Sequence, residues 1–142
     1  MTSSTMINSN TRQAYLETEY RVFGKSPFIL KVDEPSAELL AAYDRFGCES
    51  CAFITAFNPY SKELDVSANA GRQDVFIKDL TDQGFKFLYG IGIHRSNQWP
   101  GEDSLLIFGI SKNTAKVFGE KLEQNAIIWC GVDAIPRLVL LR

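Results

Sequence analysis

The sequence predicts an α+β fold, an α/β sandwich in which a mixed sheet carries three helices. Three observations predict it. Short runs of branched and aromatic residues alternate with stretches of helical period in the order β-β-α-β-α-β-β-α-β-β. The middle of that order, β-α-β-β-α-β, has the connectivity of a ferredoxin-like split unit. The run "CAFITAF" is apolar throughout, as expected of a central strand covered on both faces.

The elements follow in order. "MTSSTMINSNTRQAY" is polar, and residues 1–14 read as a flexible lead-in to one globular domain over 15–142. "TEYRVF" (Thr18–Phe23) and "FILKV" (Phe28–Val32) flank "GKSP", which reads as a hairpin or sharp corner. In "EPSAELLAAYDRFG", Pro35 or Ser36 starts a helix, Leu39, Leu40, Tyr43 and Phe46 form its stripe, and Gly47 ends it. After "CAFITAF", a second helix begins between Ser61 and Ser67. Val66, Ala70, Ile77 and Leu80 form its expected inner stripe, and Gly84 its stop. "FKFLYGIGIH" and "DSLLIFGI" read as an antiparallel pair joined by "RSNQWPGE". Ser111 caps a third helix in "SKNTAKVFGEKLEQ". "NAIIWC" and "RLVLL" are the last strands, with "GVDAIP" turning between them.

Composition narrows the function classes. The chain has 142 residues, 45% hydrophobic and 23% charged, with a formal net charge of −2. That balance suits a single soluble domain and lacks the basic footprint of a nucleic-acid binder. No stretch has the length or apolarity of a membrane span, and the N-terminus lacks a secretory core, so the expected location is the cytoplasm. Three cysteines are present. Cys48 and Cys51 form a C-x-x-C that follows a helix and precedes a strand, the reverse of the redox arrangement, and only Cys130 and His94 remain to complete a zinc set. The reading is therefore of small packed residues, with no metal and no cofactor.

Polar residues interrupt the apolar pattern at strand ends. Thr55, Asn58 and Ser61 follow the central strand; Asn58 has both a donor and an acceptor. Asn69 and Arg72 lie one helical turn apart, a spacing that lets an arginine fork hold an anionic group while the amide orients it. The plain alternative is a solvated face with Arg72 paired to Asp65 or Glu102. In "GIGIHRSNQWPGEDS", Gly90 and Gly92 admit a close neighbour, His94 is the sole histidine, Trp99 offers a stacking face, and Glu102 and Ser104 follow. An imidazole, a carboxyl and a hydroxyl in one stretch can serve acid–base work. Gln124 and Asn125 sit where the third helix hands over to a strand.

"TEYRVF", "AFITAFNPYS", the Asn69/Arg72 pair, "GIGIH…WPGEDS" and "EQNAIIW" together resemble the bacterial proteins grouped as domain of unknown function 3293. The resemblance runs from about Tyr15 to the C-terminus and implies a compact single-domain bacterial protein. It supplies no catalytic residue, and "GCESC" is not part of it.

Two classes of function fit these residues. The first is a pocket for a small polar molecule, nucleotide- or amide-like. Here Glu102 and His94 do acid–base work, and Asn58, Ser61, Asn69, Arg72, Trp99 and Ser104 hold the ligand. The second is a non-catalytic binding module or homodimer, its edge strands paired across an interface.

Overall fold

A computed structural model describes residues 7–94, 96 and 101–142. The elements are α1 (Ser9–Glu17), β1 (Thr18–Val22), β2 (Phe28–Leu30), α2 (Ala37–Phe46), β3 (Cys51–Thr55), α3 (Val66–Asp82), β4 (Lys86–His94), β5 (Glu102–Phe108), α4 (Lys112–Lys121), β6 (Ala126–Cys130) and β7 (Arg137–Leu140), with a 3₁₀ turn at Pro59–Ser61. The seven strands form one sheet in the order β2-β1-β4-β5-β3-β6-β7. Its inner four strands, β4-β5-β3-β6, with α3 and α4, are the ferredoxin-like unit, extended by a hairpin on one side and β7 on the other.

The α+β class holds, with two differences of detail. Every described pairing is antiparallel, so the sheet is not mixed. The crossover through α3 does bring β4 back parallel to β3, but the β4–β5 hairpin inserts β5 between them. There are also four helices among the described residues, because the polar segment that reads as lead-in carries most of α1. Asn8 caps that helix, its Oδ1 accepting from the Thr11 amide at 2.7 Å.

The helix boundaries follow from capping chemistry. The Ser36 hydroxyl accepts from the Leu39 amide, and Gly47 closes α2 in the left-handed region at φ 66°. Asp65 caps α3 and Ser111 caps α4 in the same manner.

Period-two alternation divides the core into two layers. Phe53 and Leu106 point with Tyr20, Val22, Leu30 and Ile128 toward Leu39, Ala42 and Tyr43 of α2. Ala52, Ile54, Leu105 and Ile107 point the other way, onto Phe76 and Leu80 of α3 and Ala115 and Phe118 of α4. Covering on both faces is why "CAFIT" and "SLLIF" show no polar alternation.

The inner face of α3 is rotated from the expected stripe. Val66 is 86% exposed, while Asn69, Gln73, Phe76 and Leu80 are buried. In α2, Leu40 is likewise exposed, and Leu39, Ala42 and Tyr43 face the sheet.

Cys51 and Cys130 are buried register partners across β3 and β6. All three cysteines are free thiols, and no metal-holding cluster occurs among the described residues.

The two β4 glycines differ. A Cβ on Gly90 would come within 2.6 Å of the Arg21 carbonyl oxygen and 2.8 Å of the Phe53 ring, whereas one on Gly92 would meet nothing closer than 3.6 Å. The close neighbour at Gly90 is thus the protein's own backbone and core. Gly90→Ala is expected to cost about 2 kcal/mol by overpacking, lowering the melting temperature by roughly 4–8 °C. Gly92→Ala should be close to neutral. Equal melting temperatures for the two variants would contradict this account.

Candidate functional site

The chain leaves β3 at Thr55 and turns sharply. Asn58, Tyr60 and Ser61 all lie in the left-handed region, at φ 51°, 52° and 61°. Asparagine tolerates that conformation; for Tyr60 and Ser61 it costs on the order of 1 kcal/mol each. Such a segment persists only where its surroundings hold it, and here they do. Tyr60 donates its amide to the Glu123 carbonyl at 2.6 Å, and Gln124 donates Nε2 to the Phe57 carbonyl at 2.9 Å.

The centre of this arrangement is a reciprocal amide pair. The Asn58 backbone N–H donates to Asn69 Oδ1 at 2.9 Å, and Asn69 Nδ2 donates to Asn58 Oδ1 at 2.8 Å. Asn58 Oδ1 also accepts from the Leu64 amide at 2.9 Å. That leaves Asn58 Nδ2, which donates to Glu102 Oε2 at 2.8 Å. A loop, a helix and a strand end are thereby joined through three side chains. Glu102 Oε1 has no hydrogen-bond partner among the described residues. Burial holds the Glu102 carboxyl above its ordinary value near 4.5, and the Asn58 hydrogen bond offsets part of that rise.

Around this pair lie residues from distant segments. Asn125 Nδ2 donates to Ser61 Oγ at 2.8 Å, and Arg142 Nη1 donates to Asn125 Oδ1 at 3.1 Å while its guanidinium sits 4.1 Å from the Tyr60 ring centroid. Burial raises the pKa of Tyr15 in α1, the neighbouring Ser61 and Asn125 side chains lower it in part, and the Glu102 charge adds to the rise. The sequence reading passed over Tyr15, because it sits in a polar stretch that carries no strand or site pattern.

The remaining expected residues divide. Ser104 is buried and donates to the Glu102 carbonyl at 2.9 Å, at the start of β5. His94 lies on the sheet face of Glu102, since Gly92, two residues before it, is Glu102's register partner. Its Nδ1 is 2.6 Å from Ser96 Oγ and its Nε2 is 3.5 Å from Glu17. Arg72 stands apart from Glu102. Its Nε donates to the Ala56 carbonyl at 2.7 Å, a terminal nitrogen donates to the Leu122 carbonyl, and the other faces Glu123 at 3.6 Å. It pairs with neither Asp65 nor Glu102; it fastens the end of β3 to the end of α4. Trp99 lies outside the described residues. Gln73, one turn beyond Asn69 on the same buried face, has an Oε1 without a hydrogen-bond partner.

Two expectations follow. A carboxyl whose pKa is higher in the folded chain stabilises it in full below the unfolded value, and that contribution is lost as pH rises through the folded value. Glu102→Gln keeps an acceptor for Asn58 and removes the titration. Its stability relative to the natural protein should therefore climb as pH rises above 4.5. Chemical denaturation between about pH 4 and pH 8 measures this, and a flat difference would contradict it. Arg72→Met leaves the Ala56 carbonyl short of its donor and the Leu122 carbonyl with Gln124 alone, and should cost about 1–3 kcal/mol. A loss under about 0.5 kcal/mol in the same measurement would make the guanidinium a surface group.

No curated protein matches the chain, and no solved structure does. One family model matches residues 54–127, just over half of the chain, and that span contains Asn58, Ser61, Asn69, Arg72, His94, Glu102 and Ser104. The chain belongs to the family described as protein of unknown function DUF3293.

Proposed function

We propose that the end of the sheet around Asn58, Ser61, Asn69 and Glu102 binds a small neutral polar molecule, and that Glu102 exchanges a proton with it. The observation that carries this reading is Glu102 itself. It is a shielded carboxyl with one oxygen fixed by Asn58 and the other without a described partner. A carboxyl shifted toward neutrality is suited to give and take protons near working pH. His94, on the same face, is the second titratable group available to the ligand.

The favoured ligand class is an amide, or the amide-like edge of a nucleobase. The Glu102 oxygen without a described partner can accept the N–H of an amide. Arg72 is engaged with backbone carbonyls, so a phosphate gains no anchor from it. Its contribution is to hold the Ala56 carbonyl and hence the path into Asn58.

A second reading, a non-catalytic binding module, draws on a specific observation. The Asn58 and Asn69 side chains satisfy one another and Leu64, as loop staples do. The two readings separate in a thermal-shift panel of primary amides, nucleobases, mononucleotides and inorganic phosphate. At about a hundredfold excess over Kd, a ligand of the native state adds about 2.7 kcal/mol, or roughly 5–10 °C. The acid–base reading expects this shift with an amide or base, its loss in Glu102→Gln, and none with phosphate. No shift across the panel, together with a dimer by light scattering, would favour the module.

A further inference from the structure

A serine, a histidine and a glutamate meet at the end of β4. His94 is the last residue of that strand and the sole histidine of the chain. Its Nδ1 is 2.6 Å from Ser96 Oγ, and its Nε2 is 3.5 Å from Glu17 Oε1. Separate parts of the chain supply them. Thr18 is the register partner of His94, so Glu17, the last residue of α1, arrives beside the imidazole. The neighbours also place the ring's proton. The Ser96 backbone N–H, which can only donate, is 3.2 Å from Nδ1. Nδ1 is therefore the bare nitrogen, and Nε2 carries its hydrogen toward the Glu17 carboxylate. The Ser96 hydroxyl then donates to the same Nδ1. The imidazole and the glutamate are shielded, their side chains 14% and 24% exposed, whereas Ser96 is exposed.

We infer that Ser96 is a nucleophile with His94 as its general base and Glu17 as the residue that positions that base, and that together they carry out acyl transfer from an amide or ester. A serine hydroxyl is a weak nucleophile until a base takes its proton. Nδ1 stands where it can take that proton, and the Glu17 charge stabilises the imidazolium that results. The C-terminal end of a helix favours a cation as well, and α1 ends at Glu17. At 3.5 Å the Glu17 contact is an ion pair that tightens once the ring is charged. The steps balance. Ser96 Oγ bonds to the carbonyl carbon while its proton passes to Nδ1. The bond from that carbon to nitrogen or oxygen breaks, and Nδ1 gives the proton to the leaving amine or alcohol. Water then attacks the acyl-serine, its proton returns through Nδ1 to Ser96 Oγ, and the acid leaves. Glu102 shares the sheet face, and as the partner of Gly92 it is a diagonal neighbour of His94, roughly 7–8 Å away along the sheet. A small amide held by Glu102 lies within that span of the histidine. This inference names a reaction for the amide site and rests on that reading for its substrate class, but not for its test.

The probe is a fluorophosphonate. Its phosphorus bonds to an activated serine oxygen, fluoride leaves, and the serine proton goes to the base. Peptide mass spectrometry gives the labelling rate at Ser96 relative to Ser67, an exposed serine in the first turn of α3. In the natural protein this ratio should be about a hundredfold or more. His94→Gln is expected to bring it back toward one. Glu17→Gln keeps an acceptor for the Nε2 hydrogen and removes the charge, so the Ser96 rate should fall about tenfold. The ¹⁵N spectrum of the imidazole should still show hydrogen on Nε2 alone in that variant, and both tautomers in Glu17→Leu. A ratio near one in the natural protein overturns the nucleophile, whatever the variants do. A high ratio that His94→Gln leaves unchanged overturns it too, and an unchanged spectrum in Glu17→Leu overturns the part given to Glu17. A Ser96 label beside an empty amide screen supports the nucleophile and discards only the amide substrate. An amide shift beside a ratio near one discards the nucleophile and keeps the Glu102 site.

Discussion

The arrangement at the open end of the sheet depends on the reciprocal bond between Asn58 and Asn69. An asparagine side chain mimics a peptide unit, so the pair works like a short stretch of ladder built where no ladder can run. It fixes the chain in the left-handed turn after β3, sets the first turn of α3 against the sheet, and leaves one amide hydrogen free for Glu102. Either residue alone would leave buried polar groups short of partners, at a cost comparable to a large fraction of a domain's net stability. The strained backbone of Tyr60 and Ser61 is tolerable for the same reason: the loop is anchored on both sides, by α3 through Asn69 and by the end of α4 through Glu123 and Gln124.

Arg72 completes this frame by a different route. Guanidinium groups usually gain most from forked contacts to carboxylates or phosphates. Here the fork spans two main-chain carbonyls, at the end of β3 and after α4. Those carbonyls have passed the ends of their elements and have no partner in regular structure. The guanidinium serves both, sharing the Leu122 carbonyl with Gln124, and Glu123 balances part of its charge.

The element order and the ferredoxin-like middle were legible because period and capping agree there. "CAFIT" reads as a doubly covered strand and is one; Ser36, Gly47 and Ser111 read as helix ends and are. Two features were hidden for physical reasons. Helix α1 has no fully buried residue, and its half-buried Ala14, Tyr15 and Leu16 are too few to form an apolar stripe that would betray it. The inner face of α3 was misread because it carries Asn69 and Gln73 where a stripe search looks for aliphatics. Within the candidate site, Asn58, Asn69 and Glu102 each stood out singly. Their convergence depended on the strand order, which one sequence does not reveal. Gly90 showed a need for room without showing that Phe53 and the Arg21 carbonyl would fill it.

The groups near Glu102 and Ser61 come from α1, the loop after β3, α3, β5 and the segment after α4, far apart along the chain. No local fragment contains two opposite walls of the site. Such long-range closure is slow, because chain entropy is lost before any contact repays it. During synthesis, Asn58 must wait as an ordinary solvated side chain until Glu102 has been made and β5 has docked beside β3, and Ser61 waits longer still, for Asn125. The site is therefore a product of assembly rather than of any one segment, and a chain that stops short of β5 lacks its carboxyl.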